Sequence, residues 1–83
     1  MMIRAILNKI RWDTRLKAED YFITFVHRGG EDNKKIISCA SINSIEMSAF
    51  SYKEGSEDII IPFHRILKIE NIKNGKIVWQ KKA

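Results

Sequence analysis

Two dipeptides of the same kind, His27-Arg28 and His64-Arg65, each close an apolar run, "YFITFVHR" and "IIIPFHR". Histidine changes its charge near neutral pH, and arginine presents a planar fork of donors matched to phosphate oxygens. Three readings of the pattern stand open. The two histidines could act as an acid–base pair on a phosphodiester, which requires both rings within reach of one phosphate. Histidine and arginine at strand ends could instead hold a phosphate without cleaving it. The plainest reading has each histidine cap a strand and hydrogen-bond a loop. Recurrence of the dipeptide at two strand ends favours phosphate binding over capping.

The aromatic residues Trp12, Tyr21, Tyr52 and Trp79 supply a second kind of chemistry. Readers of single-stranded RNA stack bases on aromatic rings beside basic grooves. Trp79 lies between Val78 and Gln80, on the face expected for Ile77, so core packing competes with stacking there. Trp12 follows the first predicted helix and suits either a lid over the core or a stacking platform. No Gly-rich phosphate loop, HExxH, CxxC or GxSxG pattern occurs. The acidic pairs Glu19-Asp20, Glu31-Asp32 and Glu57-Asp58 fall in predicted turns, where carboxylates more often cap than ligate. Cys39 stands alone in an apolar stretch and reads as a small buried hydrophobe. The residues imply no metal and no cofactor.

The chain has 83 residues, enough for a single domain spanning residues 1–83, and its 45% hydrophobic and 30% charged content is that of a globular protein. Its formal net charge is +5. Residues 1–18 carry five basic and one acidic side chain and residues 62–83 carry six and one, whereas the stretch between has four basic and eight acidic. If the two ends pack side by side they form one basic surface, the footprint of a polyanion binder such as nucleic acid. Positive charge kept for solubility alone is the competing reading. No apolar run is long enough to cross a bilayer, and "MMIRAILNKIRW" has basic residues inside its apolar pattern, unlike a secretory signal. One cysteine excludes an internal disulfide, and a reducing cytoplasmic location follows as the simplest expectation.

The elements that position these groups read as follows. Ile3, Ile6, Leu7 and Ile10 fall on one helical stripe, with Arg4, Asn8 and Arg11 on a second; Asp13 and Thr14 end the helix. "YFITFVHR" is a strand apolar on both faces, covered by the helix and by the curl of the sheet, and "GGEDN" loops to a short strand "KKIIS". "CASINSIE" is a loop or a single helical turn. "EMSAFSYK" and "EDIIIPF" flank a hairpin loop in which Gly55 takes positive φ, and Pro62 marks a strand end. Asn74-Gly75 suits a type I′ turn between two further strands. The expected fold is α+β, with one N-terminal helix packed on a curved, mostly antiparallel sheet or small barrel of about five or six strands.

The segments "ILNKIRWDTRL", "DYFITFVHRG", "IIIPFHRI" and "GKIVWQKK" together resemble a family of small basic archaeal proteins of uncharacterised role. The domain of that family is similar to one fused to other modules in eukaryotes, proposed there to recognise RNA ends bearing a cyclic phosphate. The resemblance runs along nearly the whole chain. It implies Arg28, His64 and Arg65 as site residues, with Trp12, Asp13, Arg15 and Trp79 as further pattern positions; Thr14 stands where members often have proline. Residues 31–56 match least. Together these observations lead to the expectation of a non-catalytic RNA-binding module that reads phosphorylated or cyclic-phosphate ends. Arg28, His64, Arg65, Arg15 and Arg11 would contact the phosphates, with Trp12 and Trp79 available for stacking. An RNA phosphodiesterase using His27 and His64, and a protein-interaction subunit of a ribonucleoprotein or RNA-processing assembly, are the alternatives.

Overall fold

A computed structural model describes residues 2–82, and the side chains of all of these but Met2 and Glu31. One helix, α1 (Met2–Trp12), precedes β1 (Tyr21–Val26), β2 (Lys34–Ser38), β3 (Ile42–Ile45), β4 (Ala49–Glu54), β5 (Glu57–Pro62), β6 (Ile66–Asn71) and β7 (Lys76–Gln80). The strands make two sheets, one of four strands in the order β2-β1-β6-β7 and one of three in the order β3-β4-β5. Every pairing is antiparallel. The expected α+β arrangement of one helix on antiparallel strands is present, and the protein is mostly β. Its strands, however, divide between two sheets and do not close into a barrel. Among the described residues no helix is long and apolar enough to cross a membrane.

One core joins the three layers. Ile3, Leu7 and Ile10 of α1 are buried with Ile23 and Phe25 of β1, Ile69 of β6, and Phe50 and Tyr52 of β4. Each such aliphatic or aromatic side chain contributes about 1.5–3 kcal/mol by leaving water. Phe25 meets Phe50 edge-on at 6.0 Å between ring centroids and lies 5.9 Å from Tyr52, so β1 is where the sheets touch. Lys9 and Arg11 in the last turn of α1 lie at the end where the helix dipole favours cations.

Irregular strand positions decide which residues reach this core. Phe25 pairs with Ile66 and Thr24 with Lys68, leaving Leu67 as a bulge. That extra residue lets both Ile66 and Ile69 point inward despite a spacing foreign to simple alternation. A second bulge sets Trp79 opposite Ile69 and Ile77 opposite Glu70, with Val78 unpaired. Ile77 and Trp79 therefore do not share a face by alternation, contrary to the expectation from spacing. A third falls at Asn43, between the pairs Ile42–Tyr52 and Ser44–Ser51. It hides β3 within the ambiguous "CASINSIE" stretch, and the Ser44 and Ser51 hydroxyls, 2.7 Å apart, satisfy each other across the strands.

The turn chemistry holds in one hairpin and changes in the other. Gly55 has φ of 64° in the β4–β5 turn, as expected, and β5 ends at Pro62. Between β6 and β7 the type I′ turn is replaced by a longer loop over residues 72–75, in which only Gly75 takes positive φ, at 76°. The Asn71 side chain accepts from the backbone N–H of Lys73 at 2.9 Å and of Asn74 at 3.2 Å. That local capture goes with the end of β6 at Asn71, two residues before the Lys73 that a type I′ turn would use. The first strand is also less covered than expected: Tyr21, Ile23 and Phe25 face the core, whereas Val26 on the other face is 38% exposed.

Candidate nucleic-acid interface

Single 3₁₀ turns carry the chain between the sheets at Cys39–Ser41 and at Phe63–Arg65. A 3₁₀ turn has three residues, so positions i and i+3 eclipse. In the second crossover Phe63 and Ile66 are both buried, which forces His64 and Arg65 between them to face solvent. Pro62 fixes the extended entry into the turn, with φ of −63°, and the Phe63 N–H donates to the Ser48 carbonyl at 2.9 Å. The isoleucine run thus anchors β5, Phe63 seals the crossover, and the His64-Arg65 pair is presented on a rigid rim.

The register between β1 and β6 brings a second arginine to that rim. Phe25 lies opposite Ile66, so the residues leaving β1 run beside those entering β6. Arg28 and Arg65 line, with Val26, one recess of about 350 Å³. Both arginines are exposed, and among the described residues neither makes an ion pair or a side-chain hydrogen bond. Lys81 joins the same corner: its Nζ donates to the His64 carbonyl at 2.7 Å, and its backbone N–H donates to Leu67 at 2.9 Å. No sequence pattern singled out Lys81, since it follows the end of β7 and reaches the crossover only through the strand pairing.

The remaining site expectations fall elsewhere. Arg11 donates to the Asn43 carbonyl at 3.0 Å, and its guanidinium lies 5.1 Å from the centre of the Trp12 ring. Trp12 is 70% exposed, which rules out a lid over the core and leaves an open aromatic surface beside a cation. Arg15 grips both oxygens of Asp13, at 3.0 and 2.8 Å. The Arg15 hydrogen bonds hold the Asp13 carboxyl down at about 2. Trp79 is partly buried and packs against the core. The C-terminal part of α1 and Leu16 meet Tyr21, Ile77 and Val78 around a recess of about 420 Å³ where Lys9 and Lys76 come together. Lys9 of the N-terminal segment and Lys76 of the C-terminal segment therefore share a surface, whereas Arg65 and Lys81 lie at the other corner. That surface adjoins the start of β1, about 17 Å from its other end, where Arg28 emerges.

Neither histidine ring lines the Arg28–Arg65 recess. His27 packs edge-on to Phe25 at 6.4 Å and sits beside Gly30. Lys35, which lies over the Tyr52 ring at 5.5 Å, hydrogen-bonds the Glu54 carboxyl and holds it below the usual carboxylate range. Burial pushes the Cys39 thiol up to about 12, far from a reactive thiolate. Among the described residues no group of three or more His, Cys, Asp or Glu is placed to hold a metal ion.

These features define a small basic protein of one helix and two antiparallel sheets that offers, among the described residues, unpaired cations at a strand end. The family model described as the MJ1316 RNA cyclic group end recognition domain matches residues 1–81, and the chain belongs to that family. A UPF0248 protein of Methanocaldococcus jannaschii is 42% identical over 81 residues, covering 98% of this chain and 95% of the relative. One from Methanococcus maripaludis strain C5 is 40% identical over 81 residues, 98% of this chain and all of the relative. A more distant UPF0248 protein from Saccharolobus islandicus is 31% identical over the same 98% of this chain and its own full length. No solved structure matches the chain.

Proposed function

We propose that this protein is an RNA-binding module that reads a phosphorylated or cyclic-phosphate RNA end with Arg28, Arg65 and His64. The observation that carries the reading is the convergence of Arg28 and Arg65 on one recess with no carboxylate paired to either among the described residues. Like charges brought together on a rigid rim repel one another unless an anion is bound between them. A terminal phosphate is compact enough for two guanidinium forks to grip, and such charge-assisted bonds are strong and directional. The family description, RNA cyclic group end recognition, names a ligand of this chemistry.

In this reading Lys81 adds a charge beside the arginines and His64 a ring donor at the rim. The exposed Trp12 with Arg11 offers a second contact, by stacking, to a strand long enough to cross the domain. Arg15 acts indirectly, by fixing the turn after α1 through Asp13, and Trp79 serves the core. The His27 ring packs on Phe25 and does not line the arginine recess, which favours binding without cleavage. The proposed place of work is the cytoplasm, which suits the single unpaired Cys39.

A titration with one short RNA carrying a 2′,3′-cyclic phosphate, a 3′-phosphate or a 3′-hydroxyl end tests the proposal at near-physiological salt. Tighter binding of the first two forms is expected. Equal binding of all three would reduce the protein to a general single-strand binder. Absence of RNA binding would move the weight to a protein partner in a ribonucleoprotein.

A further inference from the structure

The recess of about 420 Å³ between the C-terminal part of α1 and the start of β7 sets two lysines over an apolar floor. Lys9 and Lys76 line it with Ile6, Tyr21, Ile77 and Val78, the last two 46% and 38% exposed. No carboxylate lines it, and among the described residues neither ammonium group makes an ion pair. Asp13, which feels the Lys9 charge, is held by Arg15 at 2.8 Å. Glu70, opposite Ile77 on β6, is held by Lys68 at 3.2 Å, and Asp20 beside Tyr21 stays outside the lining.

Strand β7 joins this recess to the arginine corner. It is an edge of the four-stranded sheet, with β6 on one side and no strand on the other among the described residues. Its first three residues line the recess, and just past its last residue Lys81 donates to the His64 carbonyl, next to Arg65. The two places are therefore about 17 Å apart along one strand. Residues 71–82 carry four lysines and no acidic residue, and from Lys76 to Lys81 every residue but Trp79 is exposed. A line of cations without interleaved anions suits a linear polyanion better than a single ion.

We infer that the RNA strand runs along β7, with its end phosphate at Arg28 and Arg65, an upstream phosphate between Lys9 and Lys76, and the upstream nucleoside resting on Ile77 and Val78. The inference rests on the proposed reading of RNA ends and adds a second anchor that sets the direction of the strand: nucleotides 5′ of the end lie over β7. A stacked strand advances about 3.4 Å per nucleotide, so about five nucleotides cover the distance, and an extended strand needs fewer. An acidic protein segment would match the recess alone and leaves the continuity of the cations along β7 unexplained.

The test compares a dinucleotide and a hexanucleotide, each ending in a 2′,3′-cyclic phosphate or a 3′-hydroxyl, on wild type, Lys9→Gln, Lys76→Gln and Arg4→Gln. Arg4 is an exposed cation of α1 outside the recess, so its variant reports the effect of net charge alone. By fluorescence anisotropy the cyclic-phosphate hexanucleotide is expected to bind at least about tenfold tighter than the dinucleotide. It should also move the backbone amide signals of Lys9, Lys76, Ile77 and Val78, which the dinucleotide leaves in place. Lys9→Gln and Lys76→Gln should each weaken the hexanucleotide about 3- to 10-fold and make its dependence of log K on log salt shallower by about 0.7, with the dinucleotide unaffected. All three side chains are exposed, so melting temperatures should stay near that of wild type. If the hexanucleotide binds no tighter than the dinucleotide, or the lysine variants lose no more than Arg4→Gln, the path along β7 is overturned and the recess is left to an acidic protein segment. A dinucleotide that still prefers the cyclic end would then keep the end-reading function intact. If neither RNA is preferred over its 3′-hydroxyl counterpart, the function proposed above fails, and this inference, which places the strand by its end, fails with it.

Discussion

Replacing Arg28 and Arg65 by alanine, singly and together, separates binding from folding. Both side chains are exposed, and among the described residues neither has an ion-pair partner, so truncation strands no buried group. Surface changes of that kind stay within about 0.5 kcal/mol in stability. In a domain of this size that corresponds to a Tm shift of no more than about 4 °C. Binding should respond far more strongly. A hydrogen bond to a charged group contributes about 1.5–3 kcal/mol, and at a rim open to water the lower figure applies, so each single variant should lose about tenfold. If both guanidinium groups grip one anion, as proposed, their losses do not simply add, and the double variant should fall between about 10- and 100-fold. Salt provides an independent readout: on a single strand, each lost phosphate contact makes the dependence of log K on log salt shallower by about 0.7. The assay is fluorescence anisotropy with a 5′-labelled RNA ending in a 2′,3′-cyclic phosphate, beside thermal melts of each variant. A double variant that binds like wild type with an unchanged salt slope would refute the assignment. Equal losses of binding and folding would show that the arginines hold the fold.

Three further substitutions or treatments probe the framework. Gly30→Ala places a Cβ 2.8 Å from the Lys34 carbonyl oxygen and 2.9 Å from His27 Cδ2, so the turn between β1 and β2 must shift. A loss of about 1–3 kcal/mol in denaturant unfolding is expected, with weakened RNA binding because Arg28 sits on the same turn. Cys39, buried and with its thiol pushed up to about 12, should resist iodoacetamide in the native protein at mildly alkaline pH and react once the chain is unfolded. Rapid native labelling, read by mass spectrometry, would contradict its burial. Asp13, held at about 2 against an ordinary 3.8, contributes stability that is present above the unfolded value and lost as pH falls through the folded one. The advantage of wild type over Asp13→Asn in thermal melts should therefore be full near neutral pH and shrink as pH is lowered toward 2. A difference that does not change with pH would contradict the Asp13–Arg15 pairing.

Much of the fold was legible because the signals were local. Ile3, Leu7 and Ile10 repeat at helical spacing, and "KKIIS" and the strands flanking Gly55 carry their own turn residues, so α1, β2, β4 and β5 emerge close to their observed bounds. Most of the failures share one cause. At Asn43, Leu67 and Val78 an extra residue breaks the two-residue period, which hides β3 and reverses the face expected of Ile77 relative to Trp79. The Asn74-Gly75 signal was likewise overridden by the Asn71 side chain, a competitor for the same backbone donors. Of the candidate site, His64 and Arg65 were legible because the buried Phe63 and Ile66 bracket them in the chain itself. Lys81, Lys9 and Lys76 were not, since nothing in their local pattern shows which element lies beside them.

By itself the sequence determined the groups available, two histidines, an excess of cations and no metal or nucleophile motif, and the local elements that carry them. Only the tertiary structure decided which of those groups meet. It set Arg28 beside Arg65, tied Arg15 to Asp13, packed His27 on Phe25 and left the Thr24 hydroxyl without a partner among the described residues. The physical reason lies in strand register. Local period fixes that a strand forms, but a shift of one residue in its pairing moves every side chain to the opposite face. Here that register is set by bulges and by two 3₁₀ crossovers, through contacts between residues far apart in the chain.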